Sequence, residues 1–210
     1  MSSPLRHVEV LAARESDRLA ALEQRLRDTQ ERLSEASRRL EQMPRTDALT
    51  GLGNRRLFGE RLRQEWKLSQ RLGFSVALLV IDIDGFRTVN DQSGRAAGDE
   101  VLRHLARLLE HSTRGSDTCV RYGGEEFALI LPATTQNQAE HLAKVLREEI
   151  AVAPCGHQRI TVSIGVAAAI ARDTGDDLQQ LVERAHAALN LAKTGGRNRV
   201  ECAPADDSTS

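Results

Sequence analysis

Four acidic residues in this chain stand where carboxylates commonly do chemistry. Asp82 and Asp84 close the apolar run "FSVALLVIDID", and Glu125 and Glu126 lie between a Gly-Gly pair and a second apolar run in "RYGGEEFALIL". Asp82 and Asp84 are two apart and so share one face of a strand. Acids at a strand end beside a loop suit a hard cation such as Mg2+, bound through oxygen. Gly123 and Gly124 link the extended pieces "CVRY" and "EEFALIL" and read as a two-residue hairpin turn, because such turns need positive φ. Glu125 is then the first residue past the turn. Glu125 and Glu126 face opposite ways along the strand and so take different roles. If the two strands are neighbours, Asp82 and Glu125 share one or two Mg2+ ions. That arrangement acts on triphosphates, where metal lowers the pKa of an attacking hydroxyl and neutralises departing pyrophosphate. The plainer alternative makes Asp84 and Gly85 the start of a turn and the two glutamates solvated acids at a hairpin tip.

Nearby residues fit a nucleotide. "GFRTVND" follows the first acids, so its backbone N–H groups are placed to cradle phosphate, and Arg87 offers a forked cation to the same oxygens. Asn90 carries a donor and an acceptor, and Asp99 is a pure acceptor. Guanine presents N1–H and N2–H2 donors together, which a carboxylate matches; adenine does not. The alternatives are a turn role for Asn90 and a helix N-cap role for Asp99 in "DEVLRHL". Lys193 and Arg197 flank a helix terminus in "AKTGGRNRV", where basic residues also complement the helix dipole.

Buried strands and amphipathic helices must position these groups. "FSVALLVIDID" and "EFALILP" are continuous apolar runs, as in strands covered on both faces, and "RITVSIGVAAAI" is rich in β-branched residues. "GDEVLRHLARLLEHS", "NQAEHLAKVLREEIAVA" and "DDLQQLVERAHAALNLAKTGG" have helical apolar spacing, and "RNRVEC" adds a last short strand. The order predicts an α/β (α+β) domain, a central mixed sheet surrounded by helices, over residues 45–202, with a disordered polar tail at 203–210. Residues 1–44 differ. Leu5, Val8, Ala12, Glu15, Leu19, Leu22, Leu26, Thr29, Leu33, Ala36, Leu40 and Met43 recur in steps of three and four, a heptad seam with Glu15 and Thr29 as weak points, ended by Pro44. So narrow a stripe on so long a helix calls for a second copy, a homodimeric coiled coil. The alternative folds the helix back on its own domain. A DNA-binding basic region does not fit, because charge balances along the segment.

Composition sets outer bounds. The 210 residues carry a formal net charge of -1, which argues against coating nucleic acid. No run approaches the ~18 apolar residues of a membrane span, and the N-terminus lacks the apolar core of a signal peptide. Cys119, Cys155 and Cys202 are scattered and read as reduced thiols, so a cytoplasmic location is expected. "PCGH" puts Cys155 near His157 with too few partners for zinc.

Taken in order, "DALTGLGNRR", "DIDGFRTVNDQSGRAAGDEVL", "RYGGEEF", "SIGVA" and "AKTGGRN" resemble a GGDEF domain of the diguanylate cyclase family, over about residues 46–200, with the signature in its GGEEF form. The resemblance implies a fold similar to the nucleotidyl cyclase and polymerase palm. It implies condensation of two GTP into cyclic di-GMP with release of two pyrophosphates. By that resemblance Asp82, the backbone carbonyl of Ile83, and Glu125 hold two Mg2+ ions, with Mn2+ able to substitute. Glu125 or Glu126 assists loss of the ribose 3′-hydroxyl proton. Asn90 and Asp99 read guanine, and Phe86, Arg87, Lys193 and Arg197 hold phosphates. Each domain takes one GTP, so two must meet face to face, which gives the N-terminal heptads a purpose.

"RGSD" supplies Arg114 and Asp117, with five residues between Asp117 and Gly123. An Arg-x-x-Asp there resembles the family's inhibitory site for cyclic di-GMP; an exposed turn with an ion pair is the alternative. Arg87 stands where the family usually has Lys, Arg95 where it has His, and His186 and Asn190 where it has Asp and Tyr. None of these departures removes a metal ligand or a base reader. The competing function is a non-catalytic receptor for GTP or cyclic di-GMP that signals through its coiled coil.

Overall fold

The computed structural model describes residues 22, 24–35, 44–155, 158–171 and 177–204. The chain divides into two compact units, Met1–Pro44 and Arg45–Ser210. In the first, residues 24–35 form a helix, α1, and the remaining heptad positions, apart from Leu22, lie outside the described residues. Leu22, Leu26 and Leu33 are 58%, 60% and 68% exposed, so this stripe of the helix lies open to solvent in the single chain.

The second unit runs α2 (Arg55–Leu72), β1 (Ser75–Ile83), α3 (Phe86–His111), β2 (Thr118–Gly123), β3 (Glu126–Leu131), α4 (Gln136–Val152), β4 (Val162–Ile170), α5 (Asp177–Thr194) and β5 (Val200–Cys202). The five strands form one sheet in the order β2-β3-β1-β4-β5. β1 pairs antiparallel with β3 and β4, β2 pairs antiparallel with β3, and β5 runs parallel to β4. The expected mixed sheet surrounded by helices is therefore present.

Local chemistry sets the element ends. The Asn54 side chain accepts from the N–H groups of Arg56 and Leu57 at 3.0 and 3.2 Å and starts α2. Gly73, at φ 73°, stops α2 and returns its N–H to Ser69. Thr135 and Gln138 form a capping box at the start of α4.

The apolar run of β1 is continuous because both faces are covered. Ala77, Leu79, Ile81 and Ile83 pack with Leu105, Leu109, Leu146 and Ile150 of α3 and α4. Val76, Leu78 and Val80 pack with Phe58, Leu62 and Trp66 of α2 and with Leu181, Ala185 and Leu189 of α5. The period-two alternation carries the second face onward to Asp82, which ends on the α5 side.

Gly165 lets α5 lie close on β4. A Cβ there would stand 2.2 Å from the Ala185 carbonyl oxygen and from the Leu189 nitrogen, both backbone. Gly165→Ala is expected to lower stability by about 1–3 kcal/mol through overpacking, read as a lower urea midpoint at unchanged slope.

One expectation shifts. Ala203 and Pro204 do not belong to a disordered tail. The Ala203 N–H donates to Val166 O at 2.7 Å, its carbonyl accepts from Gln136, and Pro204 O accepts from Arg184 at 2.6 Å. The polar composition from Asp206 onward masked these anchors; residues 205–210 lie outside the described residues. The three cysteines are free thiols, and burial pushes that of Cys119 up to about 12, which keeps it protonated and inert. His157 lies outside the described residues. No described helix is long and apolar enough to cross a membrane.

Candidate active site

The acidic residues gather at one end of the sheet. Asp82 and Glu126 are direct register partners across β1 and β3. The hairpin closes on the pair Gly123↔Glu126, so its turn residues are Gly124, at φ 54°, and Glu125. This corrects the expected Gly123–Gly124 turn. A register shift between Arg121 and Gly123 gives β2 an extra residue, and Gly123 is used up in closing the ladder. Glu125 is thus a turn residue, and strand alternation does not set its direction.

The Asp82 carboxylate senses those of Glu125 and Glu126. Burial raises the Asp82 pKa above its ordinary value; the Lys193 ammonium at 2.8 Å opposes the rise, and the charges of Glu125 and Glu126 add to it. Glu126 Oε1 lies 3.2 Å from His186 Nδ1, and the His186 ring centroid is 5.7 Å from that of Tyr122. Tyr122 meets Phe58 edge-on at 5.0 Å and lies under the Arg55 guanidinium at 4.9 Å.

The carboxylates of Asp82 and Glu125 and the Ile83 carbonyl offer oxygen donors of the hard type that Mg2+ takes, an ion that keeps several waters and needs few protein ligands. The Asp82 carboxylate is paired with the Lys193 ammonium, Nζ to Oδ2 at 2.8 Å. Among the described residues no group of three or more His, Cys, Asp or Glu, carboxylates included, is arranged to hold a metal. Asp84 does not join Asp82. Its carboxylate accepts from Thr161 Oγ1 at 2.8 Å, Ser163 Oγ at 2.7 Å and the Asn198 N–H at 2.9 Å. The shared-face argument fails because β1 ends at Ile83 and Asp84 has left the pleat.

"GFRTVND" is the first part of α3 rather than a loop, preceded by Gly85 at φ 67°. The N–H groups of Thr88 and Val89 donate to the Gly85 carbonyl at 2.9 and 3.3 Å, and those of Phe86 and Arg87 open the helix, where an N-terminus suits an anion. The helix breaks at Gly94 (φ 80°, ψ 165°), and the second half brings Gly98 against the first. A Cβ on Gly98 would lie 2.0 Å from Asn90 Oδ1 and 3.2 Å from the Phe86 ring. Asn90 Oδ1 is buried with no hydrogen-bond partner among the described residues, an acceptor waiting for a donor. Both Asn90 and Asp99 lie inside α3, which removes the turn and N-cap alternatives.

The expected phosphate cations are less uniform. Lys193 is spent on Asp82. The Arg87 side chain is 93% exposed, with Nε 3.7 Å from Asp91 Oδ2. Arg197 is exposed at φ 64°, and no ion pair engages it among the described residues.

Other residues were invisible to motif spacing. Arg121 Nη1 lies 3.1 Å from Asp47 Oδ1, while its Nε and Nη2 donate to the Gly124 carbonyl at 2.9 and 2.7 Å. It ties the signature turn to the segment before α2. Burial pushes the Asp47 carboxyl up, but hydrogen bonds from Thr50 and Arg121 more than offset this and hold it below its usual value. Arg114 and Asp117 form a closed turn, with Arg114 N–H donating to Asp117 Oδ2 at 2.9 Å. They line a cavity of about 590 Å3 together with Asn137, Gln138, His141 and Val145 of α4. Only the folded domain brings that helix to the Arg-x-x-Asp turn.

These motifs now have a place in one fold, and residues 44–199 match the family described as "Diguanylate cyclase, GGDEF domain". The chain belongs to the GGDEF family. Among curated GGDEF relatives, Diguanylate cyclase DgcP of Pseudomonas aeruginosa is 40% identical over 192 residues, covering 90% of this chain and 29% of its own length. Response regulator PleD of Caulobacter vibrioides is 40% identical over 161 residues, covering 74% of this chain and 35% of its own. The chain thus spans well under half the length of these curated relatives. Among solved structures, the coiled coil and GGDEF domain of DgcB from Caulobacter crescentus, in complex with c-di-GMP, is 33% identical with a TM-score of 0.69. It covers 92% of this chain and 99% of its own. The active GGEEF domain of a diguanylate cyclase from Vibrio cholerae is 34% identical with a TM-score of 0.68, covering 72% and 97%.

Proposed function

We propose that this GGDEF chain is a diguanylate cyclase, which joins two GTP into cyclic di-GMP and releases two pyrophosphates. The observation that carries the proposal is the convergence of Asp82, Glu125 and Glu126 at the sheet end, with the unpartnered Asn90 Oδ1 buried in the neighbouring helix. Asn90 and Asp99 accept from the guanine N1–H and N2–H2 groups. Gly98 supports this reading because any side chain there would strike Asn90. Phe86 and Arg87 at the start of α3, with Lys193 and Arg197, hold the triphosphate. Glu125 or Glu126 assists removal of the ribose 3′-hydroxyl proton. When bound by Asp82, Glu125 and the Ile83 carbonyl, Mg2+ supplies charge neutralisation and a lowered pKa for that hydroxyl. Two domains must meet with their sites facing, and the open leucines of α1 suit pairing with a second copy.

Product feedback belongs to the same proposal. The Arg114–Asp117 turn beside the α4 cavity is taken as the site where cyclic di-GMP binds and slows the enzyme. Arg114→Ala is expected to weaken inhibition by added cyclic di-GMP by about tenfold or more, because a guanidinium contact to phosphate or guanine is lost. Initial rates without product should stay within about twofold. An unchanged inhibition curve would remove Arg114 from that role.

A further inference from the structure

Asp84 has both carboxylate oxygens engaged by three donors from two separate segments: Thr161 and Ser163 beside or in β4, and the Asn198 backbone between α5 and β5. It has no other charged partner among the described residues. The segment it grips is conformationally unusual. Arg197 and Asn198 are consecutive non-glycine residues in the left-handed region, at φ 64° and 45°. Residues with a Cβ rarely adopt that region even singly, so the surroundings must hold these two there. The Arg197 N–H donates to Ala192 O at 3.0 Å, the Asn198 N–H to Asp84 at 2.9 Å, and Arg199 O accepts from Ile164 N at 2.9 Å. The Asp84 bond is the charge-assisted one of the three, and the strongest by type.

We propose that Asp84 is a positioning residue that clamps the Arg197–Asn198 backbone in its left-handed form and so aims the Arg197 guanidinium at the nucleotide's phosphates. The proposal rests on the cyclase reading and deepens it. Asp82 and Asp84 then hold the chain at two points, with Asp82 meeting Lys193 in the last turn of α5 and Asp84 meeting Asn198 in the α5–β5 connection. Asp84 is no metal ligand in this account, because its oxygens are already taken. A cation on a fixed backbone binds phosphate without the entropy cost of ordering a loop.

The test measures affinity for a GTP analogue with a methylene bridge between the α and β phosphorus atoms, which binds but cannot release pyrophosphate. Calorimetry with Mg2+ compares the full chain with Asp84→Asn, Arg197→Ala and the double variant. Each single change should weaken binding about tenfold, and the double variant should be no weaker than Arg197→Ala alone. The Asn198 amide should lose its hydrogen-exchange protection in Asp84→Asn. If Asp84→Asn fails to fold, Thr161→Val removes one donor at constant shape. It should weaken binding about threefold, and not at all in an Arg197→Ala background. Unchanged binding in Asp84→Asn, or single effects that multiply to about a hundredfold, would overturn the proposal. Wild-type protein that ignores the analogue would overturn the nucleotide reading and this proposal with it. The Asn198 amide would then still show whether the clamp exists.

Discussion

Glu125→Gln should lower cyclic di-GMP formation by about a thousandfold or more, with the far-UV spectrum and Tm nearly unchanged. The substitution keeps shape and removes one negative charge from the two carboxylate metal ligands. Gln has a weaker dipole oxygen in place of a hard anionic donor, and Mg2+ selects the anion. The fold should tolerate the change because Glu125 is a half-exposed turn residue with no hydrogen bond or ion pair to the described residues. Its loss also relieves repulsion at Asp82, whose protonation Glu125 favours. A variant with full turnover in Mg2+ would show that Glu125 neither holds metal nor touches the reacting hydroxyl.

The second large effect should come from outside the catalytic domain. Replacing both Leu26 and Leu33 by Glu puts charges on the open stripe of α1 without touching residues 45–204. Specific activity at submicromolar protein is expected to fall by about a hundredfold, because two half-sites must then find each other by free diffusion. Raising the protein concentration should recover much of the loss, and sedimentation should report a monomer. The exposure of Leu22, Leu26 and Leu33 motivates this expectation. A monomeric double variant working at full speed when dilute would sever dimerisation from catalysis.

Much of the fold was legible because its strongest elements carry strong patterns. β1, β3 and β4 are apolar runs buried on both faces, and α4 shows clear amphipathic spacing. What escaped depends on contacts distant in sequence or on single-residue geometry. The signature turn slid by one residue because a bulge in β2 cannot be read from composition. The helix that begins within "GFRTVND" was not anticipated, because Gly85 and Gly94 carry no helical signal, yet they serve as its entry and its mid-helix break. The neighbouring of the two strands was anticipated with Asp82 beside Glu125, whereas the register sets Glu126 opposite Asp82 and leaves Glu125 in the turn. The parting of Asp84 from Asp82 was not anticipated, because its partners Thr161, Ser163 and Asn198 lie about 80 to 110 positions away. His186 against Glu126 is a contact of the same kind.

The central claim rests most directly on product chemistry. Purified full chain, freed of any co-purified dinucleotide, is incubated with GTP and Mg2+, and in parallel with ATP and Mg2+, and the nucleotides are separated by chromatography. The account predicts cyclic di-GMP and pyrophosphate in a 1:2 ratio from GTP, and no cyclic product from ATP. A folded dimer that binds GTP and leaves it intact would contradict the account and favour a nucleotide receptor.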